Sequence, residues 1–149
     1  MIMMERPYNF EELLSSHGYI IFTCVGTSMM PLLRPRRDIV EIRPKGNGRC
    51  RKYDVVLYKR GDRYIIHRIL QVKQYGYNIA GDHNTYVERN VTDKQILGVI
   101  TRIFRDGKEI DMTGIEYKMY VIFWCRLYLI RMFILRVLNG WSKVRHFLS

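Results

Sequence analysis

Tyr53-Asp54-Val55-Val56-Leu57-Tyr58-Lys59-Arg60-Gly61-Asp62-Arg63-Tyr64-Ile65-Ile66-His67-Arg68-Ile69-Leu70 is the stretch whose reading decides the fold class. Two runs rich in β-branched and aromatic residues, Asp54–Tyr58 and Tyr64–Val72, flank a Gly61-Asp62 turn signal, the pattern of two strands joined as a hairpin. The same grammar continues on both sides, with apolar runs at Tyr19–Val25, Ile39–Arg43, Tyr77–Ala80 and Ile96–Phe104. Gly46-Asn47-Gly48, Tyr75-Gly76 and Asp106-Gly107 punctuate them as turns. No long helical pattern intervenes. The expectation is a mostly β domain over residues 19–116, an antiparallel and partly closed, coiled β-sheet.

Two flanks read differently. Residues 1–18 form a short lead-in helix, with Phe10, Leu13 and Leu14 at helical spacing and His17-Gly18 as its stop. Residues 117–149 contain no proline and a single glycine, Gly140. They read as a basic, apolar helical tail with a break near Asn139-Gly140.

Bulk properties narrow the class. A chain of 149 residues, 48% hydrophobic and 13% aromatic, fits one domain with its own core and excludes a disordered chain. Cys24, Cys50 and Cys125 are an odd set without C-x-x-C spacing, so neither a disulfide framework nor a zinc site is expected. No metal or other cofactor is called for. Glu5, Arg6, Glu11 and Glu12 stand where a secretory leader would carry a basic patch and an apolar run. The expected location is the cytoplasm or the cytoplasmic face of the membrane.

The net charge of +11 is clustered. Arg34 to Lys52 holds eight Lys and Arg against Asp38 and Glu41; from Tyr117 onward there are six more and no acid. Such clusters face an anionic surface, either lipid headgroups or nucleic acid. Met119–Leu138 has the length of a membrane span, but Arg126, Arg131 and Arg136 interrupt it. Each central arginine costs about 2.5–3.5 kcal/mol, against about 0.3–0.6 kcal/mol returned by each large apolar residue. Insertion is marginal to unfavourable. Peripheral contact at the headgroup boundary, with Trp124 and Trp141 beside the basic residues, is the expectation. Packing on the β domain or on a second copy is the alternative.

Chemistry concentrates in three segments. Gly26-Thr27-Ser28-Met29-Met30-Pro31-Leu32-Leu33 places a serine on a turn at the end of a strand-like run, where its hydroxyl can be exposed and backbone N–H groups can converge. Alone, a Gly-x-Ser turn is an ordinary loop. His67 lies inside an apolar strand and shares a face with Ile65 and Ile69, while Arg68 points the other way. Alone, it reads as a core histidine; functionally, an imidazole is the commonest base for activating a hydroxyl. Ala80-Gly81-Asp82-His83-Asn84 ends a strand in a turn, where Asp82 can orient a histidine or simply cap the bend.

Taken in order, Gly-x-Ser-Met-x-Pro, Tyr-Asp-Val-Val-Leu-Tyr, His-Arg-Ile and Gly-Asp-x-Asn resemble the catalytic boxes of the signal peptidase superfamily of serine peptidases. The resemblance runs from about Gly26 to Ile100. It implies a mostly β peptidase domain in which a serine and one base cleave an extended peptide, leader or signal-like, with small residues near the cut. The bacterial leader-peptidase and SOS-repressor branches use a lysine base, and Tyr64–Leu70 contains none. The archaeal and endoplasmic-reticulum type, with histidine in His-Arg-Ile, is the closer likeness. By this resemblance Ser28 is the nucleophile, His67 the base and Asp82 the orienting acid. Glu88, six residues after Asp82, is the alternative acid. The Ser28 backbone N–H is the oxyanion donor, and Thr27, Met29 and Met30 line the substrate groove.

Departures accompany the likeness. Gly26 stands where some signal peptidases hold a serine that can donate to the oxyanion, and no apolar span precedes Ser28. Ala80-Gly81, the dipeptide that self-cleaving repressors cut, follows His67 here instead of lying upstream of the serine. Two other readings stay open. One is a DNA-binding or self-processing regulator of the SOS-repressor type, although only 27 residues precede Ser28, too few for a helix-turn-helix domain; nucleic acid is not the expected partner. The other is a membrane-associated interaction protein with a degenerate site.

Overall fold

The computed structural model of the chain describes residues 9–126 and, beyond them, Ile130, Phe133 and Val137. Eight strands make one antiparallel sheet: β1 (Ile20–Thr23), β2 (Ile39–Pro44), β3 (Val55–Arg60), β4 (Arg63–Lys73), β5 (Gly76–Ala80), β6 (Glu88–Val91), β7 (Ile96–Arg105) and β8 (Lys108–Glu109). Helix α1 (Phe10–His17) precedes the sheet. Helix α2 (Ile115–Val121) follows it and runs into a π-helical stretch at Ile122–Arg126. The strand order is β1-β2-β7-β3-β4-β5-β6, with β8 paired to β7, and the sheet stays open. The mostly β, antiparallel class with a helical segment after it is what the alternation predicts.

The hairpin signal at Gly61-Asp62 joins β3 to β4. Arg60 pairs with Arg63 across it, and Gly61 takes a positive φ of 58° that costs glycine little. Register shifts near Glu41, Leu57, Ile69 and Tyr77 bend the sheet. The bent sheet carries a core on each face. Val55, Leu57 and Ile66 pack with Met29, Leu33 and Val40 on one side; Val56, Tyr58, Ile65 and Ile69 pack with Tyr77 and Ile79 on the other.

Helix α1 closes the first core with Phe10 and Leu14. Asn9 caps its start by accepting from the Glu12 N–H, and Gly18, at φ 74°, turns the chain out of it. Among the described residues, no helix is long and apolar enough to cross a membrane. Most of the expected tail, including Arg131, Arg136, the Asn139-Gly140 break and Trp141, lies outside the described residues.

Candidate active site

Strand β1 delivers the chain to a loop, residues 24–38, that holds Ser28. Three sets of contacts fix this loop. The Arg36 N–H donates to the Cys24 carbonyl at 2.7 Å. Arg105 donates to the Leu32 carbonyl at 2.8 Å and, through Nε, to Oδ1 of the buried Asp38 at 2.9 Å. Met29, Leu32 and Leu33 then plug the loop into the core. Met29 is only 3% exposed, so the expectation that it lines a substrate groove is corrected. Its side chain anchors the loop from below, while Thr27 is exposed and Met30 half-buried.

Ser28 itself is half-buried. Its carbonyl accepts from the His83 N–H at 2.8 Å, which ties the serine turn to the turn after β5. Among the described residues, neither its hydroxyl nor its N–H has a hydrogen-bond partner. This is the N–H expected to serve an oxyanion. Cys24 is no rival nucleophile, since burial pushes its thiol up to about 12.

Asp82 lies elsewhere than expected. Its carboxylate is fully buried and grips Arg68 with two bonds, Nε to Oδ1 at 2.9 Å and Nη2 to Oδ2 at 2.8 Å. The Tyr120 hydroxyl donates to Oδ2 at 2.7 Å, and the Trp124 indole N–H donates to the Asp82 carbonyl at 2.7 Å. Asp82 therefore makes no hydrogen bond to His67. The reason is strand parity: His67 and Arg68 are neighbours on β4 and point to opposite faces. Ala80, at the end of β5, pairs with Arg68, and the chain beyond it carries Asp82 onto the arginine's face. Arg68 and Asp82 bind the end of β5 to α2 and the π-helical stretch.

His67 is 3% exposed. Its cross-strand partner is Val56, which makes Tyr58 its diagonal neighbour on the same face. The Tyr58 hydroxyl lies 3.1 Å from Nδ1 and donates to Glu88 Oε2 at 2.7 Å, an oxygen that Arg60 also reaches at 3.0 Å. On the other side of the ring, Asn84 Nδ2 stands 3.3 Å from Nε2. Burial pushes the imidazole down to about 4, with Arg60 acting the same way and the Asp82 carboxylate opposing. It is neutral at pH 7.

Ser28 and His67 meet the same turn from two sides, residues 81–84, without a direct hydrogen bond between them. Of the two acids considered, Glu88 is the one linked to His67, and it is linked through Tyr58. Tyr58, Arg68 and Tyr120 were not legible as parts of the site. The available signals were Tyr58 sharing the His67 face of the hairpin, and the parity that sets Arg68 apart from His67. Asn84 closes the Gly-Asp-x-Asn box. Chemically, the arrangement offers a neutral imidazole together with a hydroxyl and an N–H that have no hydrogen-bond partner among the described residues, around one turn. Compared with models of known protein families and with curated proteins, the chain finds no match.

Proposed function

We propose that this chain is a serine endopeptidase of the signal-peptidase type, with Ser28 as nucleophile and His67 as general base. The observation that carries the reading is a buried, neutral His67 whose Nε2 faces the Asn84 amide, on the turn that hydrogen-bonds Ser28. In the reaction, the Asn84 amide cedes Nε2 to the Ser28 hydroxyl. The oxygen attacks the scissile carbonyl while its proton passes to Nε2, and the Ser28 N–H donates to the developing oxyanion. The C–N bond breaks as His67 returns the proton to the leaving amine. Water, deprotonated by His67, then releases the acyl group and restores the hydroxyl.

Strand β1 supports an extended peptide as substrate. Among the described residues it ends the strand order, with β2 as its one strand partner, and it leads directly into the Ser28 loop. A groove of about 420 Å³ between α1 and β1, lined by Phe10, Leu13, His17 and Tyr19–Phe22, offers an apolar wall beside that edge. A peptide adding itself as a further strand would carry its carbonyl toward Ser28. Small residues near the cut, in a leader or signal-like segment, follow from the family likeness. The enzyme then works in the cytoplasm or at the cytoplasmic face of a membrane. Ile115, Met119, Ile122 and Phe123 are exposed on the C-terminal helical segment, and with the basic charge beyond Tyr117 they suit peripheral contact with anionic headgroups.

The test is covalent labelling with a fluorophosphonate, followed by mass mapping and by digestion of a peptide library. Label on Ser28, with labelling and cleavage both lost in Ser28→Ala, is the expected result. A second reading, a degenerate interaction protein, draws on the missing Ser28–His67 hydrogen bond; it predicts no label on Ser28.

A further inference from the structure

The hydrogen bonds around His67 have a direction. A carboxylate has only acceptor oxygens, and a tyrosine hydroxyl has one proton. Tyr58 spends that proton on Glu88. Its oxygen can therefore only accept from His67, which puts the imidazole proton on Nδ1. Nε2 is then the bare nitrogen, in agreement with its neighbour, the Asn84 Nδ2 donor. Burial and the Glu88 carboxylate hold the Tyr58 hydroxyl protonated far above its usual range, so it passes an orientation along and does not itself ionise.

We infer that Tyr58 is a positioning residue, which relays the Glu88 carboxylate to His67 and so keeps Nε2 free to take the serine proton. In a triad, an aspartate makes this contact directly. Here Asp82 is spent on Arg68, and the role passes to a neutral hydroxyl backed by a carboxylate near the surface. Arg60 donates to the same Glu88 oxygen as Tyr58, so that oxygen accepts from both, which fixes the way the relay points. The tautomer follows from the hydrogen bonds alone; its catalytic consequence rests on the serine-peptidase reading.

The experiment is long-range proton–nitrogen NMR on protein with ¹⁵N-labelled histidine, run beside the rate of fluorophosphonate labelling. Of the four histidines, His67 is assigned from the signal missing in His67→Gln. The expected native signature is the Nδ1–H tautomer, unchanged in Ser28→Ala. Tyr58→Phe keeps the ring and removes the acceptor, so it should move His67 toward Nε2–H and slow labelling on the order of 10²-fold. Glu88→Ala, at a partly exposed position, frees the Tyr58 proton to donate to Nδ1 and should produce the same tautomer change if Tyr58→Phe folds poorly. An Nε2–H tautomer in the native protein, or an Nδ1–H signal indifferent to both substitutions, overturns the relay. A tautomer that depends on Tyr58 in a protein whose Ser28 never labels leaves the relay standing and removes the peptidase reading.

Discussion

Gly81 lies directly against Ser28. A Cβ built on it would stand 2.4 Å from the Ser28 carbonyl oxygen and 2.8 Å from Asn84 Nδ2. The first neighbour is backbone, which cannot swing aside as a flexible side-chain tip does. Gly81→Ala should push the serine turn and the Asn84 amide apart, at a stability cost of about 1–3 kcal/mol. Ser28 labelling should slow by at least ~10-fold, since small displacements of a nucleophile are costly. Native labelling kinetics in Gly81→Ala would show that this close approach does not position Ser28.

The Arg68–Asp82 pair ties the end of β5 to the C-terminal helical segment. Removing the charge in Asp82→Asn leaves Arg68 buried without its partner and should cost about 3–5 kcal/mol in urea unfolding. Glu88→Gln, near the surface, should lose much less stability. If Asp82→Asn melts like the native protein, the pair is not the tie that holds β5 to the C-terminal helical segment.

Ser28→Ala should be silent in stability, within about 0.5 kcal/mol, because no described residue hydrogen-bonds the hydroxyl. A larger loss, measured by denaturant titration, would reveal a structural hydroxyl instead of a reserved one.

His67 also links stability to pH. Its folded value, about 4, lies below the ordinary 6.5. Between these values the unfolded chain binds the extra proton, so the contribution is complete above pH 6.5 and lost as pH falls toward 4. The size is roughly 3 kcal/mol. Comparing native protein with His67→Gln at pH 7 and pH 4 isolates this part; an identical pH dependence in the two proteins would contradict it.

The exposed apolar row on the C-terminal helical segment should favour anionic bilayers. Vesicles containing phosphatidylglycerol should retain the protein in a flotation assay more than neutral vesicles do, and Phe123→Glu should weaken retention. Equal behaviour toward both vesicles would leave the row to a protein partner.

The alternation along residues 53–72 made the hairpin and the sheet class legible, because side-chain period and turn chemistry are local properties. The segments holding Ser28 and His67 were legible as patterns for the same reason. Local pattern could not assign Asp82, since its partner depends on which face of β4 the chain after β5 reaches. Met29 misled because a residue beside a serine on a turn reads as surface, whereas this loop needs an anchor in the core. Tyr58 stood in plain view on the His67 face, but its hydroxyl gains meaning only once Glu88 is folded onto it.

The most direct measurement is the rate of Ser28 acylation by a fluorophosphonate between pH 3 and pH 10, in native protein and in His67→Gln. With His67 as base, the rate should hold through neutrality, fall to half near the imidazole value of about 4, and drop on the order of 10²-fold or more in the variant. A rate that rises only near pH 9, or one unchanged in His67→Gln, would contradict a histidine-activated serine.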